Sequence, residues 1–399
     1  MLNEKMKEYG SSPSIIRELF EEAKNKKKLL GEDKVFDFTI GNPSIEPPKI
    51  VNETLTKLLK ELDPISLHGY TSSTGDPETK KAIISYLNKT YNTSLSDEYI
   101  YLTMGAASGI KIALSALLNK GDEVIVFAPY FPEYKIYVES SEGVFHKVDT
   151  SPSFDIDFNK LEVEMNEKVK VVIINSPNNP TGVLYSEDTI KKLSNLLVRF
   201  EEKYNHPIYL LSDEPYRDLI YDDTLYPFIT NYYDNSLVAY SFSKSLSLPG
   251  ERIGYLVLSP KMRDVKDVFD SIKGAGRALG YVCQSSLFQK LIPHVLGHTS
   301  NINEYKENRN YLTRELKELG YEFAYPHGAF YLYLKALEDD AVKFANIAKE
   351  YNLYLVPSDS FGAKGYVRIA YCVKKDVIIK SIPAFKKLAQ HYEALKWMI

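Results

Sequence analysis

The sequence predicts an α/β fold: a large unit with a mostly parallel sheet flanked by helices, joined to a smaller α+β unit. Three observations predict it. Short β-branched runs alternate with helical stretches through the middle of the chain, the pattern of parallel strands buried on both faces. Polar residues stand directly after those runs, where open α/β sheets gather ligands. Past residue 295 the grammar shifts to strands mixed with long helices. At 399 residues, two or three folding units are expected. The expected division is an N-terminal segment, 1–49, contributing to the small unit, a large unit at 50–295 and a small one at 296–399.

In chain order, residues 14–29 set Ile15, Ile16, Leu19, Phe20 and Ala23 at helical spacing. An extended piece over 35–40 stops at Gly41-Asn42-Pro43. Asp76-Pro77 supplies an N-cap and a first-turn proline to a helix carrying Ile83, Ile84 and Leu87. An extended segment leads into Gly105, and the helix that follows opens with small residues (GAASGIKIALSALL). Gly121-Asp122 turns into a strand at 123–127. Further strands are expected at 169–174, 208–211, 237–241 and 253–258, with a helix over Glu187–Tyr204. Residues 284–319 read as one helical stretch interrupted near Pro293. Strands at 329–334 and 366–371 and helices at 341–351 and 374–394 complete the small unit.

Composition excludes several functions. Lys+Arg is 49 against 53 for Asp+Glu, and no basic block occurs, which argues against nucleic-acid or anionic-membrane partners. No apolar run reaches about 18 residues, so no spanning helix is expected. The charged start MLNEKMKEYG lacks an apolar signal core, so a cytoplasmic protein is expected. Cys283 and Cys372 are far apart and read as reduced thiols, with one cross-link left open. His294 and His298 have no companion acid, so no metal is expected. Residues 274–280 place their last glycine one position too late for a dinucleotide fingerprint, and neither a phosphate-binding P-loop nor a nucleophile elbow is present.

The strand ends carry the chemistry. Asn175 to Pro180 offers amides, Asp213-Glu214-Pro215-Tyr216 a carboxylate with a phenol, and Ser241-Phe242-Ser243-Lys244 an amine with hydroxyls. Lysine forms Schiff bases with carbonyl compounds, and Ser241 and Arg252 suit one dianionic phosphate. A solvated loop lysine is the plain alternative. Asp213, after Ile208-Tyr209-Leu210-Leu211, is costly to bury without a partner; a pyridinium N–H, an arginine or a turn amide each serves. Tyr216 and Asn179 can donate to a phenolate, although Tyr216 also suits packing in a chain with 31 tyrosines. Gly105-Ala106-Ala107 leaves helix N–H groups open to an anion, or allows a close helix–sheet contact. Arg368, between Val367 and Ile369, faces solvent or forks onto a carboxylate.

The ordered motifs SPNNPTG (176–182), DEPY (213–216), SFSKSLSLPGERIGY (241–255) and YVRIAY (366–371) resemble the fold-type I pyridoxal-phosphate aminotransferases, the class that includes aspartate aminotransferase. The resemblance runs from about Gly41 to Tyr371. It implies pyridoxal 5'-phosphate as cofactor, held by a Schiff base to Lys244, with Asp213 keeping the ring nitrogen protonated. Tyr216 and Asn179 match the donors to the ring hydroxyl. Ser241, Arg252 and the amides of Ala106 and Ala107 after Gly105 match the phosphate cradle, with Ser243 as an addition. Phe131, in APYFPEY, matches the aromatic stacked on the ring. Tyr70, in HGYTSSTG, matches a tyrosine reaching a phosphate across a homodimer interface. Arg368, with Asn179 and the amide of Gly41, matches the clamp on the substrate α-carboxylate. Arg277, in GAGRALGY, lies near a region where some relatives carry an arginine for a distal carboxylate; a structural interface role fits it equally.

The implied reaction moves an amino group from an amino acid to a 2-oxo acid in two half-reactions, at sites on the interface of a homodimer. Two other functions share the motifs. One is a carbon–sulfur β-lyase. The other is a non-catalytic cofactor-sensing regulator, against which stands the lack of a helix-turn-helix signal before Gly41.

Overall fold

Continuous apolar runs are stable as strands only when both faces are covered, and that requirement organises the larger part of the chain. The computed structural model describes residues 2–12 and 14–396. Its first strands are β1 (Phe36–Asp37), β2 (Ile100–Thr103), β3 (Glu123–Ala128), β4 (Val144–Asp149), β5 (Val169–Asn175), β6 (Tyr209–Asp213), β7 (Ser236–Ser241) and β8 (Gly254–Leu258). Strands β2 to β8 form one seven-stranded sheet in the order β2-β8-β7-β6-β5-β3-β4. Every residue of β6, β7 and β8 is buried. Helices cover both faces: Ala106–Leu117 and Val265–Leu279 on one, Pro77–Tyr91 and Glu187–Tyr204 on the other.

Two strands depart from expectation. The pairs among β3 to β7 are parallel, but β8 runs antiparallel to both β2 and β7. Between β7 and β8 stand only a four-residue helix, Phe242–Ser245, and a three-residue 3-10 turn, Pro249–Glu251. Neither can carry the chain back across the sheet as a parallel crossover does. Strand β4 has no continuous apolar run because it is the sheet edge, with Val148 its one buried residue.

The helical stretch after residue 284 also breaks elsewhere than expected. Pro293 lies inside the helix Ser286–Val295, and the break falls at 296–301, before Ile302–Glu318. A proline leaves the carbonyl four residues back without its helical donor. Here that carbonyl, on Gln289, accepts from the Thr79 hydroxyl at 2.8 Å, so the helix tolerates the proline.

The remaining strands are β9 (Phe323–Ala324), β10 (Tyr331–Lys335), β11 (Leu353–Tyr354), β12 (Val356–Pro357) and β13 (Tyr366–Ala370). Four of them make an antiparallel sheet, β12-β13-β10-β9, and β11 pairs in parallel with β1. The N-terminal segment therefore joins the C-terminal part. Leu19 packs on Tyr333, Val356 and Phe361; Ala23 and Val35 pack on Tyr354. The helix Glu4–Ser11 behaves differently and reaches the large unit, where Lys5 Nζ donates to the Glu139 carbonyl at 2.6 Å. Both cysteines are free thiols. No helix among the described residues is long and apolar enough to cross a membrane. Those residues hold no group of three or more His, Cys, Asp or Glu able to share a metal.

On the face of the large sheet away from the strand-end cavity, Arg217 and Glu214 form a buried ion pair at 2.7 Å. Arg217 also donates to Tyr255 at 2.6 Å and lies 4.3 Å from the Tyr240 ring centre. Removing one partner of a buried pair strands the other charge. Arg217→Ala is expected to cost about 3–5 kcal/mol of stability, read as a lower denaturant midpoint; an unchanged midpoint contradicts it.

Candidate active site

Strands β5, β6 and β7 are neighbours and parallel, so their C-terminal residues Asn175, Asp213 and Ser241 come to one edge. A cavity of about 270 Å³ opens there, between the two units. Twelve of the expected residues line it: Gly41, Ala106, Ala107, Phe131, Asn179, Asp213, Tyr216, Ser241, Ser243, Lys244, Arg252 and Arg368.

Asp213 is the buried acid of the site. Its backbone carbonyl accepts from Asn175 Nδ2 at 2.8 Å, and the Tyr134 hydroxyl donates to Oδ2 at 2.5 Å. Oδ1 is buried with no partner among the described residues. Burial pushes the carboxyl up to about 7; the Tyr134 hydroxyl pulls it down and Glu214 pushes it up.

Lys244 stands on the short helix Phe242–Ser245, whose first turn is capped by Ser241. Its Nζ donates to the Gly41 carbonyl at 2.6 Å and lies 5.4 Å from the Phe330 ring centre. Burial pulls its pKa down to about 8, and the cations Arg368 and Arg252 add to that against Cys372. A lysine so depressed is unprotonated far more often than one in water, which is what a nucleophilic or basic amine requires.

Donors converge at one end of the cavity. Helix Ala106–Leu117 starts without a side-chain cap, so its first N–H groups are free for an outside acceptor. Gly105, at φ +81°, precedes it; a Cβ there would stand 3.0 Å from Arg252 Nη2 and 3.4 Å from Ser241 Oγ. Arg252 is held by bonds to the Pro249 and Met104 carbonyls at 3.0 and 3.2 Å. Ser241 Oγ and Ser243 Oγ are 2.7 Å apart. This is a nest for a multiply charged anion.

At the other end, Arg368 rises from β13 and is buried. Nη1 donates to Asn179 Oδ1 at 3.0 Å and Nη2 to the Thr39 carbonyl at 2.5 Å. Nε has no partner among the described residues. The guanidinium lies 4.6 Å from the Tyr331 ring centre, and burial pushes its pKa down while Tyr331 opposes. Tyr216 and Tyr331 share a hydroxyl–hydroxyl bond of 2.9 Å. A Cβ on Gly41 would fall 2.0 Å from the Tyr331 hydroxyl, so only glycine lets that ring approach.

Tyr70 and Arg277 do not join this group. Tyr70 is 98% exposed, just after the helix Pro64–His68. Arg277 is exposed on the helix Val265–Leu279, outside the cavity lining. Two contributors, Tyr134 and Tyr331, escaped the sequence reasoning, and Asn175 was marked only as one amide of the 175–180 segment. Asn175 is the first polar residue after an apolar run, the same signal that marked Asp213. Tyr134 lies three positions after Phe131, one helical turn away. Tyr331, in FYLYLK, had no signal, because alternation among tyrosines does not say which face is buried.

Residues 33–381 match the family model of the class I and II aminotransferases. The chain belongs to this family. It is 29% identical over 384 residues to a probable aspartate aminotransferase of Methanocaldococcus jannaschii, covering 94% of this chain and 97% of that protein. It is 30% identical over 356 residues to the aspartate aminotransferase of Thermotoga maritima, covering 88% and 90%. In three dimensions it is similar to an amino transferase from Eubacterium rectale, with a TM-score of 0.97 and 49% identity over 98% of this chain and 99% of that one. As an aminotransferase of this class it uses pyridoxal phosphate and exchanges an amino group between amino acids and 2-oxo acids.

The shifted carboxyl has a measurable consequence. In the cofactor-free aminotransferase Asp213 titrates at about 7 against 3.8 for an ordinary aspartate. Between those values the folded chain holds a proton that the unfolded chain releases, so stability falls as pH rises through that window. Lys244, lowered from 10.5 to about 8, acts with the opposite sign in a separate, alkaline window. Denaturant midpoints across the acidic window are expected to fall with pH in the native chain and to lose that slope in Asp213→Asn. Equal slopes contradict it.

Proposed function

We propose that the cavity binds pyridoxal phosphate between Lys244 and Asp213 and transfers amino groups from an amino acid to a 2-oxo acid in two half-reactions. One observation carries the reading: Lys244, with its amine pKa lowered, and Asp213, with one buried carboxylate oxygen unpartnered, line the same cavity. The residues present fit the group. Asp213 Oδ1 suits a protonated ring nitrogen, and the nest at Gly105, Ala106, Ala107, Ser241, Ser243 and Arg252 suits a phosphate dianion. Asn179 and Tyr216 supply donors for the ring hydroxyl, and Phe131 a face for the ring.

When bound, the cofactor withdraws electrons from the substrate Cα. The chain does the rest. Lys244 Nζ would hold the cofactor through its aldehyde carbon and, when free, would take and return the Cα proton; a pKa near 8 suits both directions near neutral pH. Arg368 forks onto the α-carboxylate, beside the amide of Gly41 and Asn179, and so fixes the direction of the Cα–H bond.

The site lies between the large unit, 50–295, and a small unit of 1–49 with 296–399, a division supported by the pairing of β1 with β11. The exposure of Tyr70 supports a homodimer in which it reaches the phosphate of a second copy. Arg277 is assigned to that interface or to a distal substrate carboxylate; Arg277→Ala with unchanged aspartate and glutamate kinetics removes the second assignment. The names of the curated relatives make aspartate the first donor to assay.

Lys244→Ala is expected to lose the borohydride-reducible adduct and the long-wavelength absorbance, with amino transfer down by at least about 10²- to 10⁴-fold. A reducible adduct that survives at the same place overturns the assignment. Pyruvate release from cystathionine without an amino acceptor, in place of transfer, supports the β-lyase.

A further inference from the structure

We propose that Tyr134 is a positioning residue for the cofactor: its hydroxyl holds Oδ2 of Asp213, so that Oδ1 is presented as a carboxylate to the ring nitrogen. The inference rests on the reading of Asp213 as partner of that nitrogen.

The geometry supports it at three points. First, a carboxylate on a single side-chain torsion can rotate about its last bond. The Asn175 bond anchors only the Asp213 backbone, at its carbonyl, and leaves the carboxylate free to turn. The 2.5 Å bond from Tyr134 is the one side-chain donor on that carboxylate among the described residues. It fixes one oxygen and leaves the other as the unpartnered acceptor that faces the cavity.

Second, Tyr134 is itself immobile. It is 1% exposed and sits in the first turn of the helix Glu133–Glu139. Its ring packs edge-on against Phe131 at 5.6 Å between centres. One short segment thus carries both the ring-facing aromatic and the anchor of the acid beneath it.

Third, the charge balance around Asp213 needs a donor. Burial and the neighbouring Glu214 both favour the protonated acid, which offers a pyridinium only a neutral carbonyl oxygen in place of a charged acceptor. Glu214 is turned to the opposite face, where Arg217 pairs with it. Tyr137 and Tyr216 also stand near Tyr134 and contribute no donor to Asp213. The Tyr134 hydroxyl is the neighbour that favours the charged form.

The test uses Tyr134→Phe, which removes one oxygen and keeps the ring, in the full-length chain freed of cofactor. Two probes are titrated: pyridoxal 5'-phosphate, and its analogue with C–H in place of the ring nitrogen. Tyr134→Phe is expected to bind pyridoxal 5'-phosphate roughly ten- to hundredfold more weakly, the loss of one bond to a charged group, and the analogue about as tightly as the native chain. In an Asp213→Asn background, adding Tyr134→Phe is expected to change neither affinity. Equal weakening for both probes, or no weakening for either, overturns the role of Tyr134 and leaves that of Asp213 standing. A native chain that does not distinguish the two probes overturns the reading of Asp213, and this inference with it.

Discussion

A carboxylate buried at the end of a central strand is costly to keep charged, and the site is built around that requirement. Asp213 closes β6, every residue of which is buried. A buried acid keeps its charge only where donors or cations favour the charged form. The fold brings Asn175 to its main chain and Tyr134 to one oxygen, and leaves the other without a partner. No lysine or arginine among the described residues pairs with Asp213, and that separates it from a structural acid. Glu214, one residue on, is the structural case: its charge is matched within the chain by Arg217. Adjacent residues at one strand end face opposite sides of the sheet, so an acid with a cation partner and an acid without one lie one peptide apart.

The cations divide the cavity into two ends. Arg252 and the uncapped helix start define one, Arg368 the other, with Lys244 between. Neither Arg252 nor Arg368 forms an ion pair among the described residues; both are held by neutral carbonyl or amide oxygens. An arginine steadied by neutral acceptors keeps its full charge for an incoming anion, at the cost of burial for Arg368 but not for the exposed Arg252. Burial of Arg368 already lowers its pKa, a sign of that strain. Two separate cation ends suit a ligand set with two separate anionic ends, which a phosphate-bearing cofactor and an amino acid together supply.

Much of this was legible in the sequence, for identifiable reasons. Strand ends that matter are polar residues following apolar runs, so Asp213, Ser241 and the 175–180 segment stood out from pattern alone. The helix Glu187–Tyr204 was readable to the residue because a Ser186 cap precedes an amphipathic run. The orientation of β8 was not readable, since strand direction depends on how the intervening chain folds and not on the strand's own residues. The place of Pro293 was hidden for a similar reason: its tolerance comes from Thr79, more than two hundred positions away. Tyrosines were the hardest to place. Many are buried with the hydroxyl on a backbone carbonyl, as in Tyr101 on Tyr281, Tyr233 on Ile208 and Tyr321 on Phe385. Against that background the tyrosines of the site, Tyr134 and Tyr331, carry no distinguishing mark in sequence.

The two units meet through bonds that the reaction has to exchange. Lys244 Nζ, from the large unit, is bonded to the carbonyl of Gly41, and Arg368, from the small one, to the side chain of Asn179. Both bonds use groups that the proposed function assigns to the cofactor aldehyde and the substrate carboxylate. In the proposed function the Lys244 bond would give way to a covalent link, and the Arg368 bond to a charge-assisted one with a carboxylate. Because both bonds span the units, the groups assigned to the chemistry also help to hold the two units together.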